Sequence, residues 1–271
     1  MVFKVIATKL IEKAYDIYKL LGGKAKLEFE LLKEKEIAET EFNPSECKFT
    51  IRLSLLAKTR DFVSDLAHEI AHVYTNILGF PAGMDVKTEV SKMYEAEARC
   101  VRATLHRFFI FYDEYLAFAY APYVGSLLGF KNVLEYIEDE IYEAIDVVKL
   151  VIDKSIEVLE ISNYEPIILP LELYGFIAYI YAILYSKVLR KYVWRELYND
   201  ALEVKKYVDL VVSKMMPFTP SDRPLENTYN FVSKVPSKLK TWYTNTSVDI
   251  SVESTPCDIN MFKVYIREIR E

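Results

Sequence analysis

Two of the chain's three histidines stand four residues apart in the segment His68-Glu69-Ile70-Ala71-His72. Residues at i and i+4 lie one turn above each other on a helix, so both imidazoles can reach a common point if this segment is helical. Its surroundings support a helix from Thr59 to Leu78. Phe62, Leu66, Ile70, Val73 and Ile77 form an apolar stripe, Asp65, His68, His72 and Thr75 share another face, and Gly79 and Pro81 end the pattern.

The residue types suit metal-assisted hydrolysis. Zinc accepts neutral imidazole nitrogen, and a catalytic zinc keeps one position for water. The ion lowers the pKa of that water, and Glu69, next to His68, is placed to take its proton. HExxH also arises by chance, but histidine is so scarce here that an accidental pair at this spacing is improbable.

A third ligand has to come from elsewhere. The pattern HExxHxxGxxH would need glycine and histidine where the chain has Thr75 and Leu78, so that ligand set is excluded. The following segment offers Glu89, Glu95 and Glu97 instead. On a helix beginning after Thr88 as its N-cap, Glu95 shares a polar face with Ser91, Arg99, Arg102 and His106. Glu97 falls among Met93, Ala96, Cys100, Val101, Thr104 and Phe108, a stripe expected to pack inward. A carboxylate there needs a partner or a metal, so Glu97 is the expected third ligand and Cys100 an expected core residue. His106, Tyr74 and Tyr94 remain open as groups that could stabilise an oxyanion.

The rest of the chain reads as α+β. An amphipathic helix over 3–21 stops at Gly22-Gly23, and Lys26–Leu32 and Lys48–Leu53 are expected strands around the turn Asn43-Pro44-Ser45. Residues 113–215 read as helical almost throughout, with breaks near Pro122, over 162–170 and near 190. From 216 onward, Pro217, Pro220, Pro224 and Pro236 suggest an extended connector leading to short strands at Val248–Val252 and Phe262–Ile269. The expected units are thus 1–112, 113–215 and 216–271. The tail is too small to stand alone and is expected to dock, either on the open edge of the first sheet or on the helical region.

At 271 residues and 52% hydrophobic, the chain can bury a substantial core. Its 34 basic and 40 acidic residues argue against a nucleic-acid partner. The most apolar stretches, Tyr115–Phe130 and Leu173–Ser186, fall short of the roughly 20 residues of a membrane span. No signal peptide is evident, and Cys47, Cys100 and Cys257 form no paired motif, so free thiols and a cytoplasmic location are expected. Cys257 could alternatively reach the metal as a thiolate. The absence of glutamine suits a thermophile.

With its HExxH helix and a glutamate helix after it, the chain resembles the gluzincin branch of the zincin metallopeptidases. Glu97-Ala98-Arg99-Cys100-Val101 looks like the Glu-Ala-x-x-Phe segment of ImmA/IrrE-type peptidases, with Val101 where Phe is usual. The resemblance covers about residues 1–110. It implies a small zincin core, with Lys48–Leu53 as the edge strand along which a substrate peptide lies. It further implies a Zn2+ cofactor and peptide-bond hydrolysis by an endopeptidase acting on a protein or peptide. The alternative is a zincin-derived regulatory or interaction protein that binds metal in an occluded site.

Overall fold

The structure is a computed structural model, and it describes residues 2–33, 38–161 and 171–269. The fold is α+β, with eight helices and two three-stranded sheets among the described residues. The expected break over 162–170 lies outside them.

Helix α1 (Val2–Leu20) buries Ala7, Ala14, Ile17 and Tyr18 against the first sheet and its helices. That sheet contains β1 (Lys26–Leu32), β2 (Ala38–Asn43) and β3 (Lys48–Ser54) in the order β1-β3-β2. β3 runs parallel to β1 and antiparallel to β2, so it is the central strand. This corrects the expectation that Lys48–Leu53 forms the edge over the site. Its buried residues Phe49, Ile51 and Leu53 explain the central place, and acid-rich β2 takes the edge. Across the sheet Arg52 gathers Glu30, Glu39 and Glu41 at 2.8, 2.8 and 3.0 Å.

Helix α2 (Thr59–Ile77) carries HExxH and is closed by Gly79 at φ 106°. Any side chain there would be strained, and its Cβ would lie 2.4 Å from Leu225 Cδ2. The chain then forms β4 (Met84–Glu89), so Thr88 is a strand residue and not an N-cap. Helix α3 (Glu95–Leu128) follows and continues through Pro122 without the expected break. Its 34 residues span about 51 Å. The N-terminal part packs in one core with Phe108, Tyr112 and Tyr115, and the C-terminal part packs in another with Ala117, Ala121 and Val124. A boundary at 112/113 therefore falls in the middle of one helix.

Helices α4 (Glu138–Ile161), α5 (Leu171–Tyr185), α6 (Arg195–Glu203) and α7 (Lys205–Met215) follow, with α5 packed along α3. The expected extended connector instead contains α8 (Pro224–Trp242). Pro224 at the first turn loses no hydrogen bond and presets the helical φ. Asn227 closes the entry by accepting from Ser221 N at 2.8 Å and donating to Ser221 O at 2.7 Å.

The tail strands β5 (Thr246–Ser254) and β6 (Asn260–Glu268) form a second sheet with β4, ordered β4-β6-β5. β6 pairs parallel to β4 and antiparallel to β5. The tail thus leaves β2's edge alone and builds its own sheet on a strand the sequence did not announce. Phe231 of α8 stacks on Phe262 of β6 at 4.4 Å, which joins this sheet to the helical core.

Cys47 and Cys257 form a disulfide with Cα atoms 5.8 Å apart, and Cys100 is free and exposed. Both findings correct the sequence reading, and Cys257 is not a thiolate near the histidines. Among the described residues no helix is long and apolar enough to cross a membrane.

Candidate metal centre

Helix α2 buries Leu66, Ala67, Ile70, Ala71 and Val73, which leaves its 68/69/72 face toward α3 and β2. The His68 and His72 rings meet edge to face at 4.7 Å, with their Nε2 atoms 3.1 Å apart. Glu69 is 4% exposed and accepts a 2.6 Å hydrogen bond on Oε2 from Thr40 Oγ1 of the edge strand. Ligand atoms of His68, Glu69 and His72 lie within 4.8 Å of one another, so the group can hold a metal ion.

A second carboxylate approaches from the opposite side. Glu114 of α3 places Oε2 3.2 Å from His68 Nε2 and Oε1 3.8 Å from His72 Nε2. Ligand atoms on a tetrahedron of radius about 2.0–2.1 Å sit about 3.3 Å apart, which the His68–His72 and His68–Glu114 Oε2 spacings match, while His72 meets the other Glu114 oxygen at the longer 3.8 Å. Each glutamate has one oxygen engaged, Glu69 Oε2 by Thr40 and Glu114 Oε2 by Tyr179, so both carboxylates flank the two imidazoles with one oxygen free of these bonds.

Other groups hold this set in place. Asp113 Oδ2 is 3.2 Å from His72 Nδ1, within ion-pair distance although off the hydrogen-bond line. A carboxylate behind a ligating histidine fixes its ring and tautomer, and a small turn of Asp113 would complete that contact. Tyr179 of α5 donates to Glu114 Oε2 at 3.1 Å, and its ring stacks on Phe118 at 4.3 Å.

The structure does not bring Glu97 to the histidines. Glu97 accepts hydrogen bonds from Asn245 N at 3.0 Å, Asn245 Nδ2 at 2.8 Å and Thr246 Oγ1 at 3.0 Å, at the start of β5. The main reason is distance along the helix: Glu97 sits in the first turn of α3, 17 residues or about 26 Å before Glu114, and the phase differs as well. The buried stripe of α3 runs through Ala98, Val101, Leu105, Phe108 and Tyr112, whereas Met93 and Cys100 are exposed. The carboxylate at 97 does have partners, but they come from the tail sheet. Glu95 is exposed, Glu89 pairs with Arg267 at 3.5 Å, and His106 is exposed. Tyr74 packs on Tyr120 and Tyr123, each at 5.5 Å, and Tyr94 lies in the short turn before α3. Asp113 and Glu114 were missed, although a signal existed. They are the sole charges between Phe108 and Phe130.

No family model, curated protein or solved structure matches this chain. Its own geometry carries the functional argument.

Two cavities meet at this centre. One of about 190 Å³ is lined by Ala38, Thr40, Phe42, Ala82 and the Glu69, His72 and Glu114 side chains. The other, about 180 Å³, adds His68, Tyr179, Phe118, Asp65 and Glu140. Burial raises the Glu69 carboxyl, although His72, His68 and Thr40 act against it. Burial alone would lower His72, but Asp113, then Glu114 and Glu69, hold the imidazole above its ordinary value. Burial would raise Glu114, yet its bond to His68 and the charges of His72 and His68 hold it below the usual range. The centre thus favours positive charge, supplied by a proton on His72 or by an ion in its stead.

Asp65 is pushed up to about 7, first by burial and then by Glu140 and Glu69. A carboxyl with a raised folded pKa stabilises the fold below its unfolded pKa, and that contribution is lost as pH climbs toward 7. A rise of this size corresponds to about 4 kcal/mol, which we halve to about 2 kcal/mol for solvent screening at a partly exposed group. In chelator-treated protein, Asp65→Asn is expected to raise Tm by about 4–8 °C at pH 8 and to leave it unchanged near pH 4. Calorimetry at the two pH values checks this, and an equal shift at both would refute it.

Proposed function

We propose that this chain is a zinc-dependent peptidase of the zincin kind, with His68, His72 and Glu114 holding the ion and Glu69 as general base. The observation that carries this reading is the convergence of two imidazole Nε2 atoms 3.1 Å apart with the Glu114 carboxylate, at 3.2 and 3.8 Å, beside the buried Glu69 carboxylate. When bound, zinc would supply Lewis acidity to the scissile carbonyl and acidity to a water. Tyr179 orients Glu114 through its hydrogen bond, and Asp113 lies within ion-pair distance of His72 Nδ1. Thr40 holds one Glu69 oxygen, leaving the other to receive a proton. Burial favours the protonated form of Glu69, so the same group can pass that proton on to the departing amine.

The edge strand supports a peptide as substrate. β2 pairs with β3 on one side only, and its Ala38, Thr40 and Phe42 line the cavity at the centre. An extended peptide could add to such an edge through backbone hydrogen bonds.

The test is metal content followed by activity. Protein purified without chelator is expected to carry about one zinc per chain and to cleave members of a peptide library, with cleavage lost on chelation and restored by zinc. A His68→Ala, His72→Ala double variant that retains its metal would exclude the site. Stoichiometric zinc with no cleavage of any peptide would favour a metal-binding regulatory protein instead.

A further inference from the structure

The Cys47–Cys257 disulfide joins two turns that are 210 residues apart in sequence. Cys47 ends the turn after β2, with φ 50°, and Cys257 lies in the turn between β5 and β6. The bridge therefore ties the first sheet to the tail sheet at one end of the edge strand that carries Thr40.

A separate cavity of about 290 Å³ adjoins the bridge, lined by Pro44 on one side and by Asp85, Thr255, Pro256, Met261 and Lys263 on the other. Cys47 Sγ lies 4.0 Å from Pro44 O, and Cys257 Sγ lies 3.2 Å from Thr255 Oγ1, so the disulfide touches both walls. The residues lining the metal-centre cavity, Ala38, Thr40 and Phe42, lead along β2 directly to Pro44.

We propose that the Cys47–Cys257 disulfide is a redox-sensitive clasp that ends the groove along β2, so that its reduction admits longer peptides. The consequence for substrate rests on the peptidase reading, but the mechanical part does not. Both cysteines are only partly buried and sit in turns at the ends of their strands. Closure is thiol–disulfide exchange with a small-molecule disulfide. One cysteine thiolate attacks a sulfur of that disulfide, forming a mixed disulfide and releasing one thiol. The second cysteine thiolate then attacks the protein sulfur of the mixed disulfide and releases the other thiol. Two electrons pass from the cysteines to the small disulfide, and reduction by a dithiol reverses both steps.

Opening would be local. Ile259 stays buried in the first core, Ala82 N donates to Asn260 O at 2.8 Å, and Lys24 pairs with Asp258 at 3.1 Å. These contacts keep the sheets joined while the 44–47 turn is freed.

Hydrogen exchange on the full chain, oxidised and reduced, tests the mechanical part. Residues 38–47 are expected to exchange at least about tenfold faster after reduction, with β6 unchanged. Activity tests the groove with two peptides sharing one cleavage site, one short and one extended at both ends. The long-to-short rate ratio is expected to rise at least about tenfold on reduction, in Cys47→Ser and in Cys257→Ser, and to fall back when the natural chain is reoxidised. Unchanged exchange, an unchanged ratio, or a bridge that resists excess dithiol in native buffer overturns the clasp. If the chain holds no metal and cleaves neither peptide, the peptidase reading fails, and the exchange result still decides whether the bridge is a clasp.

Discussion

Glu114→Ala is expected to release the metal, whereas Glu97→Ala is expected to keep it. Removing Glu114 leaves two imidazoles with no third donor, and the buried Tyr179 hydroxyl loses its acceptor. Groups that merely support a ligand cost about 10–100-fold in metal affinity, so loss of a ligand should exceed about 100-fold. Elemental analysis should then fall from about one ion per chain to under about a tenth after dialysis. Glu97→Ala removes three hydrogen bonds at the start of β5 and should appear as a lower Tm with metal unchanged. If Glu97→Ala released zinc and Glu114→Ala did not, the assignment of the third ligand would be reversed.

Glu69→Gln is expected to separate binding from chemistry. Gln can still accept the Thr40 hydrogen bond, and its volume matches, so the fold and the metal should be retained. It cannot take a proton from water, and loss of a general base typically costs about 10²–10⁴ in rate. We therefore expect kcat to fall by about 10³-fold at unchanged metal content, with KM changed by less than about threefold. A variant that keeps more than about a tenth of the natural rate would remove Glu69 from the role of base.

How far the site could be read in advance depended on the range of the interaction. His68, Glu69 and His72 were legible because one helical turn brings them together and the helix announces itself by periodicity. The β1 and β3 strands were legible for the same local reason, from alternation over seven residues each. The third ligand was not. Choosing the glutamate required knowing which turn of α3 crosses α2, and that turn lies 17 residues or about 26 Å further along the helix than Glu97, at Glu114. The Asp113-Glu114 pair lay in an apolar run that reads as core, and nothing local says which helix faces it.

What the sequence by itself determined is the chemistry on offer: the HExxH helix, the α+β class, and a chain rich enough in apolar residues to bury a core. These follow from composition and from spacing within single elements. The tertiary structure alone decided the partners. It set Glu114 opposite His68, Thr40 on Glu69, Tyr179 behind Glu114, β6 against β4, and Cys47 beside Cys257. Each of those contacts joins segments from 29 to 210 residues apart. Their positions depend on how whole helices and sheets pack, which no local period or propensity encodes.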